Sequence, residues 1–172
     1  VHYSRSGGPL FLHRVFFVNI KCSSHILFPI KHLDCLNHIT DYKALQKAIA
    51  KISLFLEPER LFIFDVNTEY KHSKILANNS FVKEAEGVFC VWQNEYREKT
   101  KTTDITVDVF CDNGGEYKRF TENFKERAYT ESELQKALSA AGLEILAVLE
   151  ELTLSEPKPD TQRVIYVTKK VK

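Results

Sequence analysis

The sequence contains no methionine, and its first residue is Val1. Two origins would account for this: a start codon other than AUG, or a natural N-terminus lying upstream. The preceding genomic DNA separates them. Glycine is also scarce. The six glycines are Gly7, Gly8, Gly87, Gly114, Gly115 and Gly142, and none follows an expected strand in the spacing that cradles a phosphate or a nucleotide. The four cysteines, Cys22, Cys35, Cys90 and Cys111, form no C-x-x-C pair, so a zinc site or redox motif is not expected and reduced thiols are. The histidines match no metal signature either, His13, His25, His32 and His38 being scattered along the front. Charge of one sign is missing: the formal net charge is +1, which gives no field suited to nucleic acid or a membrane surface. No apolar run is long enough to cross a bilayer. Val15–Ile20 is short and no small-residue cleavage site follows it, so export is not expected and a cytoplasmic location is.

What is present describes a globular domain. The chain has 172 residues, 44% of them hydrophobic and 27% charged, enough for one domain with a full core. Its organising stretch is Leu61-Phe62-Ile63-Phe64-Asp65-Val66-Asn67-Thr68. The apolar run suits a strand covered on both faces, as in a parallel sheet flanked by helices. It ends in Asp65, Asn67 and Thr68 at the edge where open α/β sheets bind ligands.

Residues 1–9 read as a leader, and 10–20 and 25–30 as possible strands. Residues 34–40 read as a loop entering a helix capped by Thr40 or Asp41. Leu45, Ala48, Ile49, Ile52 and Phe55 or Leu56 mark that helix's buried stripe, opposite Lys43, Lys47 and Lys51. It must end before Pro58. After Leu61–Val66, a short helix is expected over Tyr70–Ala77, broken at Asn78-Asn79-Ser80. Val88–Tyr96, Thr103–Cys111 and Glu116–Glu126 have strand character. In the second, Ile105, Val107, Val109 and Cys111 alternate with Thr106, Asp108 and Phe110. Asp112-Asn113-Gly114-Gly115 supplies a hairpin turn. Residues 82–127 thus read as an antiparallel β-meander inserted after the central strand. Thr130 and Glu133 fit a capping box, Leu134, Ala137, Leu138 and Ala141 form a stripe, and Gly142 stands at the helix end. Leu143–Leu152 and Arg163–Thr168 close the chain as strands, with a basic tail after them.

This order resembles the C-terminal half of class I S-adenosylmethionine-dependent methyltransferases. The wording is similar as well. Asp34-Cys35-Leu36-Asn37-His38-Ile39 resembles the family's post-strand stretch, and Leu61–Thr68 its apolar strand ending in Asp and Asn. Val91–Tyr96 and Glu126–Thr130 match too. The resemblance covers about residues 34–170, which divides the chain into an unassigned segment 1–33 and a methyltransferase part 34–172. It implies an α/β fold, a Rossmann-like methyltransferase sheet incomplete at its N-terminal half, carrying the β insertion. It implies S-adenosylmethionine as cofactor, a small-molecule substrate and methyl transfer. The family's acidic glycine-rich loop and its ribose-binding carboxylate have no counterpart here. A truncated or frame-shifted product with impaired activity is therefore expected.

By resemblance, Asp34 and Asn37 would lie beside the cofactor. Asp65, Asn67 and Thr68 would line the substrate side, and Trp92, Gln93, Arg127 and Tyr129 would come from the meander that roofs the pocket. An aromatic wall there would attract a sulfonium. Blander roles stand beside these: Asp34 in a turn, Trp92 in a core, Arg127 in a surface ion pair. Cys35 lacks the pattern of a catalytic cysteine. The alternative is a non-catalytic fragment or pseudo-enzyme acting through protein contacts, self-associating through an exposed sheet edge.

Overall fold

The computed structural model describes residues 35–171 apart from Glu86 and Leu152. The leader, the expected strands at 10–20 and 25–30, and Asp34 lie outside the described residues. Asp41, not Thr40, caps the first helix, its carboxylate accepting from the Ala44 amide at 2.8 Å. That helix, α1 (Tyr42–Phe55), buries Leu45 and Ile49. Leu56 packs against the core while Phe55 is exposed. The Lys170 ammonium donates to the carbonyls of Ser53 and Leu56, closing the helix's open C-terminal end.

The strand β1 (Leu61–Asn67) follows. The π-helical turn Lys71–Leu76 comes next, where an α-helical turn is the ordinary form. Then come β2 (Ser80–Ala85), β3 (Val88–Arg97), β4 (Thr102–Asp112) and β5 (Tyr117–Arg127), all antiparallel neighbours in one four-stranded sheet. The expected meander is present and gains β2 as a fourth strand. Its β4–β5 turn forms as the sequence implies: Gly114 and Gly115 take φ of +78° and +101°, and their amides donate to the Asp112 carboxylate. The capping box at Thr130 and Glu133 opens α2 (Glu131–Ala140). β6 (Leu143–Glu150) and β7 (Arg163–Lys170) complete a second sheet of order β1-β7-β6, β7 being antiparallel to both neighbours.

Among the described residues β1 pairs with β7, which is antiparallel, and α1 and α2 join one core on one face of this sheet. Phe62, Phe64 and Val66 are buried there with Val164 and Tyr166, while Ile63, Ile165 and Val167 on the opposite face are half-buried. The Phe62, Phe64 and Tyr166 rings stack in sequence at 4.8 and 5.1 Å. Asp108, expected on an exposed face, is 6% exposed. Arg119 covers it with two hydrogen bonds of 2.9 and 2.8 Å, and Thr121 donates a third.

Candidate functional site

The two sheets meet where β1 ends. Asn67, its last residue, turns its backbone away from β7, since the next link of that ladder runs from the Thr68 amide to the Gln162 carbonyl. The outward groups of Asn67 are met by one side chain. Asn37 Oδ1 accepts from the Asn67 amide at 2.9 Å, and Asn37 Nδ2 donates to the Asn67 carbonyl at 3.2 Å. The same Nδ2 donates to the Arg127 carbonyl, and the Arg127 amide donates to the Asn37 carbonyl. Asn37 is fully buried. It joins the loop at 35–40, the edge of β1 and the end of β5, so its side chain acts on the backbone it brackets.

A polar cluster surrounds this joint. Glu126 of β5 is almost fully buried and accepts at Oε2 from Asn67 Nδ2 at 3.2 Å. His72, fully buried on the π-helical turn, brings Nε2 to 3.7 Å from the same oxygen, and its Nδ1 lies 2.7 Å from the Thr103 hydroxyl. His38 brings Nε2 to 3.8 Å from Glu126 Oε1 and is 40% exposed. Its ring lies 5.2 Å from that of Phe124, two residues before Glu126 and on the same face of β5. Lys71 Nζ and Arg163 Nε both donate to Asn67 Oδ1. A carboxylate held in the interior, with an imidazole on its solvent side, is an arrangement able to accept and hold a proton. π-Helical turns gather at such places because they re-aim side chains; this one carries Lys71 and His72 to the cluster. Among the described residues, no group of three or more His, Cys, Asp or Glu is arranged to hold a metal ion, and no helix is long and apolar enough to cross a membrane.

The residues singled out from sequence divide around this joint. Asn37 and Asn67 meet in it. Asp65 stands beside it, paired with Arg163 at 3.4 Å. Thr68 donates to the Thr161 carbonyl and caps the π-helical turn by accepting from the Lys71 amide. Trp92 lies on the meander face that carries Phe124 and Glu126, half-buried and edge-on to Phe81. Its indole N–H has no hydrogen-bond partner among the described residues. Gln93 is exposed on the opposite face, as strand alternation requires. Arg127 also points away from the cluster. It pairs with Glu133 at 2.6 Å, donates to the Thr40 carbonyl and lies over the Tyr129 ring. Tyr129 is buried in the helix-side core, with its hydroxyl on the Ile39 carbonyl. Burial pushes its phenol up to about 12, and does the same for Tyr166. Gln93, Arg127 and Tyr129 are thus not brought to one pocket with Asn67. His38, His72 and Glu126 were missed as site residues, though strand register held a clue: counting from the Asp112–Tyr117 turn sets Glu126 opposite Thr103.

The described glycines Gly87, Gly114, Gly115 and Gly142 lie at turns in the meander and after α2. No glycine cradle stands at the end of β1 among the described residues. These residues do not by themselves fit the methionine portion of a nucleotide-type cofactor.

A solved S-adenosylmethionine-dependent methyltransferase from Clostridium acetobutylicum ATCC 824 is similar to this chain at 33% identity, with a TM-score of 0.75 over 81% of this chain and 56% of that one. YqeM of Bacillus subtilis (strain 168), named as a methyltransferase, is 23% identical over 139 residues, 81% of this chain and 56% of its own. The sugar N-methyltransferase KedS8 from Streptoalloteichus sp ATCC 53650 shares the fold at 15% identity and a TM-score of 0.60, over 84% of this chain and 59% of that one. No family model matches the chain. The chain spans somewhat over half the length of the curated relatives it matches. The likeness in sequence, together with a fold shared with those solved enzymes over about four-fifths of the chain, supports the class I S-adenosylmethionine-dependent methyltransferase family for this chain.

Proposed function

We propose that this chain supplies the substrate-side part of a methyltransferase acting on a small molecule. The observation that carries this reading is His38: exposed, next to a buried carboxylate, at the C-terminal end of β1 in a methyltransferase fold. The cofactor, when bound, supplies an electrophilic methyl group. The work left to this chain is to orient the acceptor and take its proton. A base is useful where the attacking atom carries a proton, so a hydroxyl or amino acceptor suits His38 better than a carbon one. Phe124 flanks the ring of His38, and Trp92 continues the same face, giving an apolar wall for the acceptor's body. KedS8 is named a sugar N-methyltransferase and CalS10 an amino pentose methyltransferase; acceptors of that size fit the reading. Asn37 serves indirectly, by fixing the loop that carries His38.

The test is calorimetric titration of the 172-residue chain with an amino sugar as the acceptor. Saturable binding that His38→Gln weakens supports the reading. No binding at millimolar ligand overturns it for this chain. A second reading, contact without catalysis, draws on the pairing of β1, which among the described residues involves β7 alone. An open edge promotes self-association. Light scattering that finds only a monomer at high concentration removes that reading.

A further inference from the structure

The end of the meander away from the polar joint carries aromatic side chains with little to cover them. Strand register sets Glu84 opposite Phe89, Phe89 opposite Phe110, and Asp112 opposite Tyr117. Residues opposite each other, and residues two apart along a strand, share a face. All five therefore lie on the outer face, with Asp108 and Arg119. The Phe89 and Phe110 rings are 6.1 Å apart and tilted by 57°, so they stand as two walls at an angle. Both are half-buried, while Tyr117 is 65% exposed. With Glu84 and Gly87 they line a cavity of about 390 Å³. The Asp112 amide donates to the Gly87 carbonyl at 2.8 Å, which ties the β2–β3 turn to β4 and fixes the cavity's rim.

The free charge at this cavity is negative. Glu84 is exposed and forms no ion pair among the described residues. The Asp112 carboxylate accepts from the Gly114 and Gly115 amides, neutral donors that leave its charge in place. Arg119, opposite Phe110, is neutralised by Asp108 through two hydrogen bonds. Its guanidinium carbon lies 5.8 Å from the Phe110 ring centroid, so one ring of the set already draws a cation. Lys83 and Lys118 belong to the other face. A metal ion would need several oxygen ligands, which three hydrocarbon rings do not supply. A neutral apolar ligand would leave Glu84 without a counter-charge.

We infer that this cavity binds a small organic cation bearing an alkylated ammonium group. The faces of Phe89, Phe110 and Tyr117 meet its alkyl groups through their negative quadrupole, and Glu84 balances its charge. The inference is independent of the reading of His38: Tyr117 and Glu126 lie about 30 Å apart along β5 at strand spacing, on opposite faces.

The test is NMR titration of the full chain with choline chloride, with sodium chloride as the control for ionic strength. Amide shifts should saturate in the millimolar range at Gly87, Phe89 and Tyr117 and stay flat at Asn67 and Arg127. The neutral tert-butyl analogue of choline has the same shape without the charge, and should bind at least about tenfold more weakly. Tyr117→Leu, at an exposed position, and Glu84→Gln should each weaken choline binding about fivefold. Absence of saturable shifts at these amides, equal binding of the neutral analogue, or binding that either variant leaves unchanged overturns the inference. None of these outcomes bears on the reading of His38.

Discussion

Asn37 carries more of the architecture than its size suggests. Its amide satisfies both backbone groups of Asn67 and one of Arg127. Asn37→Ala leaves these groups buried without partners, and the cost of an unmet buried donor or acceptor is about 1–3 kcal/mol. A denaturant titration should show the unfolding free energy falling by that amount, read as a lower midpoint with the slope unchanged. The tyrosines give a second prediction at this scale. Burial raises Tyr129 and Tyr166 to about 12. Both are protonated in folded and unfolded chains below about pH 10, so their contribution is fully present there. Above it the unfolded chain loses these protons first, and stability falls between about 10 and 12. Phenolate absorbance should show two of the seven tyrosines titrating last, near the onset of alkaline unfolding.

Elements were the more legible scale. The meander, the Gly114-Gly115 turn and the capping box are written in short stretches, and each formed where its residues stood. Thr130→Ala removes the cap of α2 and should cost about 1 kcal/mol, read as a lower thermal midpoint; Thr130→Ser should recover most of it. On the outer face of the meander, Arg119 and Thr121 hold the Asp108 carboxyl below the usual carboxylate range, Arg119 most of all. A depressed carboxyl stabilises the fold above its unfolded value of about 3.9, and that stabilisation disappears as pH falls through the folded value. Asp108→Asn should therefore weaken the chain at neutral pH and leave its acid-unfolded behaviour nearly unchanged. The candidate site was less legible because its members come from distant places. His38, His72, Thr103 and Glu126 share no spacing, and only the pairing of β4 with β5 brings the last two together. Trp92 and Gln93 show the opposite limit: adjacent in sequence, they belong to opposite faces, and a motif read as a string conceals that.

At the scale of the molecule, and among the described residues, a sheet with helices on one face meets the meander at a polar joint. The helix-side core holds Phe62, Phe64 and Val66 inside, while Ile63, Ile165 and Val167 on the opposite face are half-buried. Separating the two sheets at that joint should change local protection before global stability. Hydrogen exchange in Asn37→Ala should rise first at the Asn67 and Arg127 amides, with the Leu45 and Ile49 amides of α1 slowest throughout. Uniform acceleration in both sheets would show that the joint does not separate them.

The Asn37 bracket also sets a phase. Any strand that lies along the side of β1 away from β7 can pair with it only as far as Val66, because the next position is already taken by an amide side chain imitating a strand. Such a strand has one permitted starting point, and a slip past Asn67 requires Asn37 to be expelled. A single buried asparagine thus serves as the stop of a zip: it fixes where pairing along that side of β1 ends.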